Sequence, residues 1–212
     1  MEVQDKSPKQ RTEVRQAGLV EAALLLAAQR SPADITTADL AHAVGISQGA
    51  VFKHFASKEA IWLAVLDWVA ETLMTRLKNA AEGANRDALP ALRAVFLAHV
   101  DFVMSYPGVP RLIFQELQRP GDTALKSRVR ALMQRYHQLL LTVLQQAKAQ
   151  QALRPGIDLQ AAAVLFIGSV QGLVMQAMIA DDVQTMAAQA PGVYAILQKG
   201  LQCPPGDFQG AP

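Results

Sequence analysis

An all-helical fold is predicted for this chain by three features of its sequence. Its composition is 51% hydrophobic but only 6% aromatic, rich in Ala, Leu, Val and Gln, which suits packed helices better than sheet. Apolar residues recur at three- and four-residue intervals over long stretches. Breaks such as Ser31-Pro32, Tyr106-Pro107-Gly108 and Arg154-Pro155-Gly156 fall between those stretches and punctuate about nine helices. With 212 residues the chain can bury about 70% of its unfolded surface, so a real core is available.

The helices follow in order. Thr12 to Arg30 places Val14, Ala17, Leu19, Val20, Ala23, Leu24 and Ala27 on one face and stops at Ser31-Pro32. Thr36 and Asp39 have capping-box spacing ahead of Ala38 to Val44, and Gly45 supplies a tight exit. Ser47 caps Gln48 to His54, and Ser57 with Glu59 caps a helix running to about Asn79. Gly83 and Asn85 interrupt the pattern before Leu89 to Ser105. Arg111 to Gln118 lies between Pro110 and Pro120, and Thr123 to Gln150 is long. Asp158 to Ile179 and Val183 to about Lys199 come last, before a Pro- and Gly-rich end. The domain division expected from this pattern is a flexible arm at 1–10, a helix-turn-helix domain at 11–57, a larger helical domain at 58–200 and a disordered tail at 201–212.

Bulk properties narrow the function classes. The single cysteine, Cys203, excludes an intrachain disulfide and Cys-rich metal sites. The polar start MEVQDKSPKQR lacks a signal peptide's apolar core, so the cytoplasm is the expected location. Ala161 to Ala180 has the length of a membrane span, but Gln171, Gln176 and its Ala content fit a helix buried on two sides, and no membrane partner is expected. A net charge of +2 is too small to argue for nucleic acid from bulk charge, so any such case must be local.

That local case lies in AVGISQGAVFKHFASKEA, residues 43 to 60. With Val51 turned inward, a step of 100° per residue turns Gly49, Phe52 and Lys53 outward. Two short helices joined through a Gly-containing turn make a helix-turn-helix, whose second helix sets its N-terminal residues against base edges in the major groove. Gln48 holds that position, and a glutamine amide can pair two ways with adenine. Gly49 lets the backbone come close. Lys53 and Lys58 suit phosphate. Helix pairs turned at glycine also occur in proteins that bind no DNA, and His54 has a packing role open to it.

From about Thr12 to Val69 the chain resembles the DNA-binding domain of the TetR family of transcriptional regulators. The resemblance is carried by Thr36-Thr37, Leu40-Ala41, Val44-Gly45-Ile46-Ser47, and Val51-Phe52-x-His54-Phe55 followed by Ser57-Lys58-Glu59. It implies DNA contact at Thr37, Gln48, Phe52, Lys53, His54 and Lys58. The family usually has Tyr at position 52, so Phe52 would replace a phenolic phosphate contact with stacking or methyl contact.

Beyond residue 80 the resemblance is one of helix number and order. On Asp158 to Ile179 one stripe runs through Leu159, Ala162, Ala163, Phe166, Ile167, Val170, Leu173, Val174, Ala177 and Met178. Val164, Leu165, Gly168, Gly172, Met175 and Ile179 leave the other side apolar too. The expected arrangement is a homodimer through the Asp158–Lys199 helices, with a monomeric core as the plainer account. A dimer would set paired recognition helices about 34 to 36 Å apart on double-stranded, two-fold symmetric DNA. His99, Phe102, Met104, Phe114, Gln115, Met133, Tyr136, His137, Phe166 and Gln171 have the mix of apolar bodies and polar handles that a pocket for a small apolar or amphipathic effector needs. Within that set His99, Phe102, Phe114, Met133, Tyr136, Phe166 and Gln171 are the candidate ligand contacts. The expected function is therefore a ligand-responsive repressor needing no cofactor or metal. An enzyme is the second hypothesis, but HExxH, a Glu-rich di-metal pattern and a phosphate-cradling Gly loop are all missing from the sequence. A helical binding module without DNA activity is the third.

Overall fold

The computed structural model describes residues 8–84 and 87–202. Among them are nine helices: α1 (Pro8–Gln29), α2 (Thr37–Ala43), α3 (Gln48–Val51), α4 (Lys58–Glu82), α5 (Ala88–Ser105), α6 (Gly108–Gln118), α7 (Ala124–Ala149), α8 (Leu159–Ala180) and α9 (Gln184–Leu201). The only β pairing among the described residues is an isolated bridge between Leu153 and Gln202.

Three boundaries differ from the sequence pattern. The helix expected from Thr12 begins at Pro8, within the stretch expected to be an arm; residues 1–7 of that arm, and 203–212 of the expected tail, lie outside the described residues. The helix expected from Arg111 starts at Gly108 and takes Pro110 into its first turn, where a proline's missing N–H breaks no helical bond. The helix expected over Gln48 to His54 is α3, which ends at Val51. Lys53 N–H bonds to Ala50 O at 3.2 Å and His54 N–H to Val51 O at 2.9 Å, so the last turn tightens to i→i+3 bonding.

The chain packs as two compact units, the first holding residues up to Glu71 with Tyr106–Arg130, the second Thr72–Ser105 with the residues from Ala131 on. In the first unit, Leu19, Ile35, Leu40, Val51, Ile61 and Val65 are fully buried. Helix α6 belongs here because it presses on α1 at Gly108. A Cβ at that position would stand 2.6 Å from Leu24 O and 2.8 Å from Ala28 N, so only glycine fits without moving backbone.

In the second unit the Phe96 ring meets Phe166 edge-on at 5.4 Å and Tyr194 at 5.3 Å. The Tyr194 hydroxyl donates to Leu89 O at 3.2 Å, and burial pushes its pKa up to about 12. On α8 the buried residues are Ala162, Ala163, Phe166, Val170, Leu173, Val174 and Ala177, most of the expected stripe; Met178 departs from it at 39% exposure. Helices α5 and α8 are long and apolar enough to cross a membrane by length and composition alone, but each buries one face as a core helix does.

Candidate nucleic-acid interface

Short-range bonding fixes the helix-turn-helix. At the head of α2, Thr36 N–H and Oγ1 each donate to Asp39 Oδ2 at 2.7 Å, and Asp39 N–H donates to Thr36 Oγ1 at 3.1 Å. This is a complete capping box. The Thr36 bonds, with Arg30 at 3.0 Å, hold the Asp39 carboxyl down to about 2. At the exit, Gly45 has φ +67°, and Gly45 N–H bonds to His42 O while Ile46 N–H bonds to Ala41 O. Those two bonds form a Schellman motif, and the left-handed residue it requires is most easily glycine. Ser47 Oγ then accepts from Ala50 N–H at 3.2 Å and starts α3.

The side chains expected at DNA fall into two groups. Gln48, Gly49, Phe52 and Lys53 are exposed, and Phe52 keeps 50% of its surface open although it is a large apolar ring. Gln48 Nε2 donates to Thr37 Oγ1 at 2.8 Å, joining the first residues of α3 and α2. His54 and Lys58 are less free. His54 is half-buried, its carbonyl accepts from Gln16 Nε2 at 2.9 Å, and its Nδ1 is buried without a hydrogen-bond partner among the described residues. Lys58 Nζ donates to Ala33 O at 2.8 Å; partial burial lowers its pKa against the opposing pull of Asp34 and Asp39.

The residues expected at an effector also separate. His99 Nδ1 and the Tyr136 hydroxyl lie 3.1 Å apart, with the rings edge to face. Burial pushes His99 down to about 4 and pushes the Tyr136 phenol up, so both are neutral near pH 7. Phe102 and Phe166 are buried in the same unit, Arg76 lies 5.5 Å over the Phe102 ring, and Met133 is half-buried. Phe114 belongs to the first unit. Gln171 is exposed, on the same side of α8 as Val164, Leu165 and Met175. It is not among the buried pocket-type residues, because a step of 100° per residue from Phe166 and Val170 carries it round to the outer face. Among the described residues no cluster of His, Cys, Asp and Glu could hold a metal.

Two family models match this architecture. Residues 19–65 match "Bacterial regulatory proteins, tetR family" and residues 116–191 match "Tetracyclin repressor-like, C-terminal domain". The chain belongs to the TetR family. It is thus a transcriptional regulator with a DNA-binding domain, in a family that is not enzymatic. Among TetR-like relatives, nucleoid occlusion factor SlmA of Vibrio cholerae serotype O1 is 26% identical over 198 residues, covering 93% of this chain and 98% of that protein. The SlmA of a Marinomonas species is 26% identical over 171 residues, covering 80% and 83%. The fold is shared with the fatty acid degradation regulator FadR from Bacillus halodurans (TM-score 0.76, 16% identity, 98% of this chain and 100% of that one). It is shared also with FadR from Bacillus subtilis in complex with stearoyl-CoA (TM-score 0.75, 17% identity, 87% and 98%).

Sequence reasoning missed one part of the TetR head. Gln115 Oε1 accepts from Ser31 Oγ and from Ala33 N–H, each at 3.1 Å, clasping the loop that leads into α2. Its partners lie more than 80 residues away along the chain, beyond the reach of any local spacing signal.

Proposed function

We propose that this TetR-family regulator is a repressor that binds a two-fold symmetric operator as a homodimer and is released by a small apolar or amphipathic effector in the cytoplasm. The observation that carries this reading is the outward set of Gln48, Phe52 and Lys53 on a mount fixed by the capping box and the Schellman turn. Gln48, held by Thr37, reads a base edge; Lys53 meets phosphate; Phe52 packs on sugar or a thymine methyl. Thr37 and Gly49 complete the surface, with His54 and Lys58 at its margin.

The homodimer is supported by α8 and α9, where Val164 at 63%, Leu165 at 56%, Ile179 at 71% and Ile196 at 76% exposure leave an apolar face that a second copy would cover. The effector would meet His99, Phe102, Met133, Tyr136 and Phe166. It acts by binding better to a state whose recognition helices miss the operator, and each tenfold loss of operator affinity needs about 1.4 kcal/mol of differential binding. Helix α4 supplies residues to both units and is the natural lever.

The test is selection of duplexes from random sequence by the intact chain, followed by a thermal-shift screen of apolar compounds and a check that each hit releases the selected duplex. A palindromic consensus released by a stabilising compound is the expected outcome; failure to enrich any palindrome would contradict it. The 26% identity to SlmA over 93% of the chain favours a second reading, nucleoid occlusion. Bound sites scattered across the chromosome, instead of a few beside regulated genes, would select it.

A further inference from the structure

A cavity of about 520 Å³ lies within the first unit, among the loop before α2, the start of α4, and α6 with the residues after it. That volume is in the range of small-molecule sites. Its apolar lining comes from Trp62, Leu112 and Leu125, all buried. Two carboxylates line it: Glu59, which is exposed, and Glu116, which is engaged. The Glu116 carboxylate takes Arg119 at 3.2 Å and a short hydrogen bond from Thr123, so its charge is offset within the protein.

The donors are not fully engaged. A backbone N–H can only donate, so the Gln115 atom facing Ala33 N–H must be its oxygen, which leaves both amide protons of Gln115 without an acceptor among the described residues. Lys58 also lines the cavity. It spends one of three N–H groups on Ala33 O, its only hydrogen-bond partner among the described residues. Apolar walls with unspent donors at one end call for a ligand that has an apolar body and an anionic acceptor.

We propose that this cavity binds a small amphipathic carboxylate, its apolar part against Trp62, Leu112 and Leu125 and its carboxylate on Lys58 Nζ and the Gln115 amide. The site is separate from the effector residues His99 and Tyr136. Lys58 Nζ also holds Ala33 O, so a carboxylate that competes with that carbonyl for Nζ loosens the loop that feeds α2 and weakens DNA binding; that consequence rests on the operator reading, whereas the site does not.

Calorimetric titration of the intact chain without DNA tests the site, using 4-phenylbutyrate and its uncharged isostere 4-phenylbutyramide. One saturable site per chain is expected for the acid, with affinity at least tenfold weaker for the amide, for Lys58→Met and for Gln115→Glu. Gln115→Glu keeps an acceptor for Ala33 N–H and Ser31, so loss of binding there is not loss of the loop. No saturable heat, equal affinity for acid and amide, or wild-type affinity in both variants would overturn the site. With the selected duplex, saturating 4-phenylbutyrate is expected to raise the dissociation constant at least threefold, and an unchanged value would overturn the coupling. Lys53→Ala separates the two readings: it is expected to lose the duplex and keep wild-type affinity for 4-phenylbutyrate.

Discussion

Gln48 Nε2 donates to Thr37 Oγ1 at 2.8 Å, so the side chain proposed to read a base is held by the other helix of the motif in the absence of DNA. Immobilising a free side chain on binding costs about 0.5–1.5 kcal/mol. Thr37→Val is therefore expected to weaken binding to the selected duplex about threefold to tenfold while leaving the melting temperature nearly unchanged, since the pair is exposed. Anisotropy titration alongside a thermal melt separates these effects, and an unaltered affinity would remove the positioning role.

The capping box gives a distinct acid response. Asp39 is held at about 2 in the fold against an ordinary 3.8, so its contribution is present above pH 3.8 and is lost as pH falls through about 2. Removal of the cap in Thr36→Ala is expected to cost about 1 kcal/mol near neutral pH. The same variant should show a flatter stability profile between pH 4 and 2, measured by urea unfolding at each pH.

A second acid response belongs to His99. Its folded pKa of about 4 lies below the ordinary 6.5, so neutral His99 favours the fold above pH 6.5 and this benefit is lost between 6.5 and 4. A fall from 6.5 to about 4 corresponds to roughly 3 kcal/mol. His99→Gln is expected to flatten that window and to leave the Asp39 window in place. A profile unchanged by the substitution would mean that His99 does not resist protonation.

Gly108 offers a steric test. Alanine there places its Cβ against the α1 backbone at 2.6 to 2.8 Å, and backbone cannot swing aside as a side-chain tip can. Gly108→Ala is expected to destabilise the chain by about 1–3 kcal/mol, read by chemical denaturation. Gly49→Ala, with nothing within 4 Å of the added carbon, is the control for folding.

The proposed homodimer contact on the outer face of α8 can be tested by charge. Leu165→Glu with Ile179→Glu puts like charges into the proposed contact, and such juxtaposition costs several kcal/mol. The dimer dissociation constant should rise a hundredfold or more in sedimentation runs, with helical content retained because both positions are exposed.

What could be read from the sequence was what short spacing determines. Thr36 with Asp39, Ser47, Ser57 and Asp158 all act as caps within three residues of themselves, and the Gly45 turn depends on the six residues around it. The two apolar sides of α8 also followed from periodicity, and the same rotation would have placed Gln171 outside. Contacts made across the fold were out of reach. Nothing near Gln115 foretells its bonds to Ser31 and Ala33, and nothing near Gly108 foretells the α1 backbone against it. The early end of α3 arises from a tightened final turn, which propensity does not resolve.

The most direct test is the salt dependence of affinity for the selected duplex, compared between the wild-type chain and the Gln48→Ala and Lys53→Ala variants. Log affinity is expected to fall linearly with log salt for the wild type, with a slope shallower by about one per subunit in Lys53→Ala. Gln48→Ala should keep the slope and lose about 1–3 kcal/mol of discrimination at one base position per half-site. Binding that ignores salt, or two variants indistinguishable from wild type in both slope and sequence preference, would contradict the assignment of this surface to DNA.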